Sequence, residues 1–232
     1  MKKIDELNLR NDVHIYDIKD DRFKNYGRII DCLDPSEIMN YMEEHTNIPD
    51  YGNVYVPSVA AMEELDIVHQ MSSLCYGGLA VQAGYCNGRN STYNGFEYHK
   101  SAEINIAVAD FMLVLGHCWE ISDELTYSID QPEVFFVEKG TIFEMYGTTL
   151  HLSPIKVCDE GFRDVVILPK GTNTPLSEEE KQIRDKAKVD GDKEAQLLLQ
   201  KQKWVISHPE REPLIKQGAH PGVTGPNKEL YY

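Results

Sequence analysis

Short hydrophobic segments separated by turn residues occupy the middle of the chain, from about residue 75 to about residue 170. The clearest alternation lies in the segment 103–109, where Ile104, Ile106 and Val108 are spaced two residues apart. This is the period of a β-strand with one buried face. Strands of this length and spacing indicate an antiparallel β-sandwich or barrel. Further strands are predicted at 77–85, 111–115, 134–137, 141–146, 149–157 and 165–168.

The two ends of the chain have different patterns. After Asp34 and Pro35, apolar residues recur at helical spacing, and the two residues suit a helix start, so a helix is predicted at about 35–46. Ser58 begins a second, shorter predicted helix. After residue 173 the chain becomes polar and helical, and Ser177 is the expected cap of an acidic first turn. Short strands are predicted at 13–18, 28–30 and 53–56.

The length and composition favour one ordinary globular domain. The chain has 232 residues, of which 41% are hydrophobic and 26% are charged. We predict a single domain, 1–232, with a β core at about 75–170. An N-terminal extension (1–74) and a helical and loop C-terminal extension (171–232) flank this core, and Trp204 is expected to help anchor the latter.

The net charge and the cysteines indicate which classes of partner and which cell compartment to expect. The formal net charge of −15 argues against nucleic acid or an anionic membrane as a partner. The start of the chain lacks a secretory apolar segment, and no apolar run reaches membrane-spanning length. The five cysteines are scattered, without Cys-x-x-Cys spacing, which suits reduced thiols in a cytoplasm. We therefore expect a cytoplasmic protein.

Four side chains of metal-ligand type stand out in the predicted β core. Glu97, His99 and Glu103 point to one face if the strand stays regular, and His151 adds a second imidazole. Such a set could bind a divalent cation and leave coordination positions for water or substrate. The oxygen-rich donors favour Mn²⁺, Fe²⁺ or Zn²⁺ over copper. The alternative is a solvated strand with incidental charges.

Three further residues are candidates for contacts with a substrate. His117 would be a general base if it faced the barrel interior, and otherwise it is a structural histidine. Arg89 lies in a predicted loop at one end of the barrel and could bind an anionic group, and the alternative is a solvated loop. Lys100 points away from the metal face on a regular strand, so only a bulge would bring it to the site.

The spacing of the ligand-type residues resembles the two sequence motifs of the cupins. In the first motif His99 and Glu103 match, while Glu97 stands where the family has its first histidine. In the second motif Gly140 and His151 match at the correct separation. The turn positions differ, because Asp110, Tyr146, Thr148 and Ile155 replace the family's glycine, proline, glycine and asparagine.

Longer segments resemble a bacterial cupin family that includes sulfoquinovose isomerase of transaldolase-type sulfosugar breakdown. They are residues 53–56, 147–154, 165–173, 203–210 and 222–225. The resemblance implies a cupin-type double-stranded β-helix (a jelly-roll barrel) with N- and C-terminal helical additions, in a homo-oligomer. It also implies a metal-dependent aldose–ketose isomerase, which converts sulfoquinovose to 6-deoxy-6-sulfofructose through a cis-enediol.

For this reaction the expected cofactor is Mn²⁺, with Zn²⁺ or Fe²⁺ as alternatives. Glu97 or His117 would carry the proton, and Arg89 or Lys100 would hold the sulfonate. Two other functions remain open: another metal-dependent cupin enzyme, such as an epimerase or dioxygenase, and a sugar-binding cupin without catalysis.

Overall fold

The computed structural model describes residues 2–232 and is mostly β, as the hydrophobic pattern predicts. The helices are α1 (Lys3–Arg10), α2 (Ser36–His45), α3 (Ala60–Glu63), α4 (Asp66–Cys75), α5 (Glu178–Val189), α6 (Lys193–Leu197) and α7 (Glu212–Lys216). The first strands are β1 (Ile15–Asp17), β2 (Gly27–Ile29), β3 (Asn53–Val56), β4 (Val81–Gly88), β5 (Gly95–Tyr98), β6 (Glu103–Ala107), β7 (Phe111–His117) and β8 (Tyr127–Ser128). The later strands are β9 (Glu133–Val137), β10 (Ile142–Met145), β11 (Thr149–Leu150), β12 (Ile155–Lys156), β13 (Phe162–Pro169), β14 (Leu198–Gln200), β15 (Lys203–Ser207) and β16 (Val223–Thr224).

The strands form two sheets with jelly-roll connectivity. The first sheet has the order β2-β10-β6-β13-β4-β3. In the second, β9 pairs with β7, which pairs with β11 and β12, and a bridge between Glu97 and His151 brings β5 alongside. The chain therefore passes repeatedly from one sheet to the other, with β4-β13-β6-β10 facing β5-β11/β12-β7-β9. This is the two-sheet jelly roll of the cupins, and it confirms the predicted fold class.

Alternating side chains separate the inside of the barrel from its outside. On β7, Phe111, Leu113 and Leu115 belong to a core cluster that also contains Phe143 and Val166 of the opposite sheet. The residues between them pack on the outer side of the second sheet, in a separate cluster. This two-residue period therefore gives each sheet two buried faces.

Helices α2, α3 and α4 cover the outer face of the first sheet. Ile104, Ile106 and Ile167 point to this face and pack with the apolar sides of the three helices. The helix predicted at 35–46 is confirmed as α2. The helix predicted from Ser58 is instead two helices, because the chain is extended at Leu65, which precedes α4.

The C-terminal extension contains strands as well as the predicted helices. Trp204 pairs with Tyr98 and Val205 pairs with Glu97, so β15 extends the second sheet along the edge of β5. A covered edge cannot pair with another chain. This strand was not predicted from the sequence, and it brings residues from beyond position 200 next to the metal-ligand motif. Within residues 2–232, no helix has both the length and the apolar character that a bilayer span requires.

Candidate metal centre

Neighbouring strands bring the four predicted ligands together. Glu97 lies in β5, His99 follows the end of that strand, and Glu103 is the first residue of β6. His151 follows β11 and exchanges two backbone hydrogen bonds with Glu97, with N–O distances of 2.6 and 2.9 Å. The regular strand on which these residues were expected is thus broken between His99 and Glu103. The four side chains nevertheless converge, because β5 ends close to where β6 begins and His151 lies beside Glu97.

The ligand-type atoms of the four residues are close to one another. Glu103 Oε2 lies 3.1 Å from His99 Nε2 and 3.3 Å from His151 Nε2. Glu97 Oε1 lies 3.9 Å from His99 Nε2, and one ligand atom each from Glu97, His99 and His151 fall within 4.8 Å of one another. All four residues are less than 9% exposed. Metal–ligand bonds of about 2.0–2.2 Å place ligand atoms roughly 3–4 Å apart, so these separations suit a common ion.

The hydrogen bonds at the outer nitrogens of the two histidines turn their Nε2 atoms toward the Glu103 carboxylate. His99 Nδ1 lies 2.6 Å from the carbonyl oxygen of Gln202, and His151 Nδ1 lies 3.0 Å from that of Thr149. A carbonyl accepts only from an N–H, so in the neutral rings Nε2 carries the lone pair. His99 Nε2 is buried and has no hydrogen-bond partner among residues 2–232. A lone pair facing a carboxylate oxygen is repulsive without a cation between them, and the residues therefore fit a divalent metal ion.

The charges of the site are strongly coupled. Burial disfavours ionisation of Glu97 and Glu103, yet the pKa of each is lowered, by Lys203 and the imidazoles at Glu97 and by the two imidazoles at Glu103. Burial also opposes protonation of His151, but the Glu103 carboxylate raises the pKa of its imidazole. Both carboxylates are therefore ionised and ready to bind a cation.

Lys203 adds a cation to the site from the unpredicted strand β15. Its Nζ lies 2.5 Å from Glu97 Oε2, and the Lys203 side chain is only 14% exposed. Asn105, the second residue along from Glu103 on the inner face of β6, donates from Nδ2 to Glu103 Oε1 at 3.0 Å. Each carboxylate thus has one oxygen toward the imidazoles and one held by a neighbouring side chain. No local sequence signal marks Lys203, because its partner lies more than 100 residues earlier.

The site opens into a cavity of about 210 Å³ inside the barrel. This volume is several times the roughly 30 Å³ that one water molecule occupies, so a small organic molecule has room there. Glu97, Glu103 and His151 line the cavity. The other polar and titratable side chains lining it are Asn53, Tyr55, Cys86, Asn94, Asn105, Ser153, Asp164, Asn173, Lys203 and Arg211.

The other three predicted site residues do not line this cavity. His117 stacks between Tyr26 and Trp119, with ring centroids 4.5 and 4.2 Å away, at the end of the barrel where β7 leaves it. The Arg89 guanidinium donates to the backbone carbonyls of Pro49 and Asp159. The two carbonyls hold the guanidinium that was expected to bind an anion. The stacking places His117 outside the cavity, although its Nδ1 is buried without a hydrogen-bond partner among residues 2–232.

Lys100 is exposed on the outer side of the barrel. Its ammonium pairs with Glu194 and lies 4.8 Å from the centre of the Trp204 ring. Lys100 therefore points away from the metal face, as the alternation of the strand predicts, and no bulge brings it to the site.

Comparison with solved structures gives matches at 10–12% identity. Salicylate 1,2-dioxygenase from Pseudoaminobacter salicylatoxidans matches over 56% of this chain and 29% of its own, with a TM-score of 0.31 and 10% identity. Oxalate decarboxylase from Bacillus subtilis matches over 59% of this chain and 36% of its own, with a TM-score of 0.30 and 12% identity. The vicilin from Solanum melongena matches over 73% of this chain and 46% of its own, with a TM-score of 0.34 and 12% identity. The chain thus spans less than half the length of each of these structures.

The sequence itself was compared with curated proteins and with family models. No curated protein matches it. One family model matches residues 15–228, which is nearly the whole chain, and its description is Domain of unknown function (DUF4867). With a cupin-type jelly roll and a group of residues that could hold a metal ion, the chain belongs to the DUF4867 family.

Proposed function

We propose that this protein is a metal-dependent aldose–ketose sugar isomerase, and that its substrate is sulfoquinovose, which it converts to 6-deoxy-6-sulfofructose. The observation that carries the proposal is the buried cluster of two imidazoles and two carboxylates at the wall of a cavity inside the barrel. One of these carboxylates, Glu97, is paired with Lys203. The substrate follows from the resemblance to the sulfoquinovose isomerase family.

His99, Glu103 and His151 would hold the metal ion, with Mn²⁺ as the expected metal. Their Nε2 and Oε2 atoms converge, and the outer nitrogens of both rings are fixed by backbone carbonyls. A bound divalent ion supplies Lewis-acid polarisation of a sugar carbonyl and stabilises negative charge on the neighbouring oxygens. Glu97 completes the set as a fourth ligand or serves the proton transfer.

Glu97 is the group best placed to move the proton. Aldose–ketose isomerisation removes a proton from one carbon and returns it to its neighbour through a cis-enediol, so a single base on one side of the sugar is sufficient. Glu97 lines the cavity, is ionised, and has its Oε2 oriented by Lys203. Lys203 keeps the carboxylate charged before the reaction and can donate a hydrogen bond to it throughout.

Arg211 supports a substrate with an anionic end. Its side chain lines the same cavity, and the structure shows no ion pair for it within residues 2–232. The other cation of the cavity, Lys203, is already neutralised by Glu97. A guanidinium can bind a sulfonate through two parallel hydrogen bonds, as it does with carboxylates and phosphates. Arg211 therefore replaces Arg89 and Lys100 as the proposed sulfonate-binding residue.

Proton NMR in D₂O tests the proposal directly. The protein is loaded with Mn²⁺ and freed of excess metal. A catalytic amount of it is then incubated with sulfoquinovose, glucose and glucose 6-phosphate in parallel. We expect ketose signals and deuterium incorporation at C1 or C2 with sulfoquinovose, both abolished by EDTA and restored by Mn²⁺. Unchanged C1 and C2 signals for every sugar, with metal bound, would contradict the isomerase. Dioxygen consumption would instead indicate an oxygenase.

A further inference from the structure

Asp164 is a buried carboxyl group in the cavity that the proposed reaction does not use. It lies in β13, where its register partners are Cys86 of β4 and Ala107 of β6. Its side chain faces the inside of the barrel, as does that of Val166 two residues later, and both line the cavity. The residue is only 1% exposed. Asp164 therefore stands on the first sheet, on the strand next to the one that begins with Glu103.

Among residues 2–232, the structure shows no cation or hydrogen-bond donor that stabilises the charged form of this carboxyl group. Within residues 2–232 the structure gives Asp164 no ion pair, and its Oδ1 atom is buried without a hydrogen-bond partner. An isolated ionised carboxylate is very costly to bury, so such a group keeps its proton instead. Burial, with a smaller contribution from repulsion by Glu103, accordingly raises the pKa of Asp164 well above its ordinary value.

A protonated carboxyl group has a hydrogen-bond donor to offer, and the structure shows no hydrogen bond between the Asp164 side chain and another side chain among residues 2–232. Its register partners are a thiol and an alanine. The other titratable side chains that line the cavity are Tyr55, Cys86, Glu97, Glu103, His151, Lys203 and Arg211. Glu97 pairs with Lys203 and Glu103 accepts from Asn105, and the structure shows neither carboxylate bonded to Asp164. Asn173 Oδ1, which is also at the cavity, is buried without a partner among residues 2–232. A bound molecule with a hydroxyl or carbonyl oxygen would satisfy this donor.

We propose that Asp164 is a neutral carboxylic acid that donates a hydrogen bond to a hydroxyl or carbonyl oxygen of the sugar in the cavity; the identity of that sugar rests on the proposed function. Asp164 is thus a substrate-binding residue on the opposite sheet from Glu97. A sugar held by the metal site at one end and by Asp164 along its side would be fixed in one orientation.

Infrared spectroscopy tests the protonation without any assay of activity. The difference spectrum between the wild type and Asp164→Asn, both metal-free at pH 7, should contain the C=O stretch of a protonated carboxylic acid. Addition of sulfoquinovose to the Mn²⁺-loaded wild type should shift this band, because the O–H acquires an acceptor. A difference spectrum with carboxylate bands alone would overturn the inference, whatever the protein catalyses.

Calorimetric binding of sulfoquinovose to the Mn²⁺-loaded protein tests the contact. Asp164→Leu removes the donor and should weaken binding about tenfold, the effect of one hydrogen bond of about 1.4 kcal/mol. Asp164→Asn retains an N–H donor of similar shape and should recover most of this loss. The exposed Asp190→Leu is the control. Equal affinity of all variants would overturn the contact.

If the wild type binds no sugar, the proposed function fails, and the acid band still decides the protonation of Asp164. A band that no sugar shifts would then overturn the hydrogen bond to a ligand. The two failures are therefore distinguishable.

Discussion

The Nζ atom of Lys203 lies 2.5 Å from Oε2 of Glu97, and the side chains are 14% and 11% exposed. This ion pair joins the C-terminal extension to the candidate metal centre. Val205 pairs with Glu97 across β15 and β5, which sets the position of Lys203 two residues earlier. The carbonyl of Gln202, in the turn before β15, also orients the His99 ring. The C-terminal segment is therefore part of the site and does more than cover the barrel.

Replacement of Lys203 by methionine should destabilise the metal-free protein by about 3 kcal/mol, because it leaves the buried Glu97 carboxylate without its partner. The double variant Glu97→Gln, Lys203→Met removes both charges and should recover most of this loss. Urea denaturation of the wild type, the two single variants and the double variant measures the coupling.

Lys100→Met is the matched control for this experiment. Lys100 pairs with Glu194, but the two side chains are 47% and 54% exposed, so the loss should be about 0.5 kcal/mol or less. Additive effects of Glu97→Gln and Lys203→Met would show that the two side chains do not interact in solution.

The affinity for Mn²⁺ should rise with pH. The Glu103 carboxylate raises the pKa of His151 above its ordinary value of 6.5, so the metal-free protein keeps this proton at and above pH 6.5. A metal ion binds only the neutral ring and must displace the proton. In this window the apparent affinity should increase by about tenfold per pH unit for each proton released.

Titration calorimetry in two buffers of different ionisation enthalpy counts the protons released on Mn²⁺ binding. His45→Gln, at an exposed histidine, should behave as the wild type does. An affinity that is constant from pH 6 to pH 8 would exclude His151 as a ligand.

The stability of Asp164→Asn relative to the wild type should depend on pH. The folded state holds the Asp164 proton to a pH well above 3.8, whereas the unfolded chain releases it near that value. The folded wild type therefore binds more protons above pH 3.8, and its stability falls as the pH rises. Asparagine does not titrate. The free energy of unfolding of the two proteins should differ little at pH 3.5, and the advantage of the variant should grow toward pH 7.

A difference that stays the same across this range would mean that Asp164 is ionised in the folded protein. Asp190→Asn, at an exposed aspartate, should show no such pH dependence.

His117→Ala should reduce stability and leave the metal site intact. The His117 ring is stacked between Tyr26 and Trp119 at angles of 3° and 9°, and loss of such contacts costs about 1–2 kcal/mol. We expect Mn²⁺ binding to be unchanged and the catalytic constant to stay within about threefold of the wild type. Glu97→Gln, at the proposed base, should lower the catalytic constant by about 10²–10⁴-fold. A similar decrease of the catalytic constant in a folded His117→Ala protein would show that His117 takes part in catalysis.

The sequence predicts the candidate ligands through the spacing of the cupin motifs, and it predicts the β core through the alternation of its strands. His99, Glu103 and His151 stand at the separations of the cupin motifs, and the strands around them alternate visibly. The ligands were expected on one regular strand, whereas the structure divides them among strand ends. The candidate ligands still lie close together, because the strand ends that carry them are neighbours in the barrel.

The remaining cavity residues could not be found from local spacing. Lys203 and Asp164 each become part of the site through strand pairing over many residues, and a lone charged residue in a strand is ordinarily exposed. Cys86 lies in a segment with the composition of a turn, but the long pairing of β4 with β13 continues the strand to Gly88. Arg89, in contrast, has the features of an anion-binding residue in sequence, yet backbone carbonyls occupy its guanidinium.

The metal content of the protein is the most direct test that Glu97, His99, Glu103 and His151 form a metal centre. It is measured by mass spectrometry on protein dialysed against Mn²⁺ and then against buffer. We expect one Mn²⁺ per wild-type chain and less than about a tenth of that in His151→Ala and in Glu103→Gln, with both variants folded by circular dichroism. The exposed His45→Gln should retain the full complement. A wild-type protein without metal, or full occupancy in both ligand variants, would contradict the proposed site.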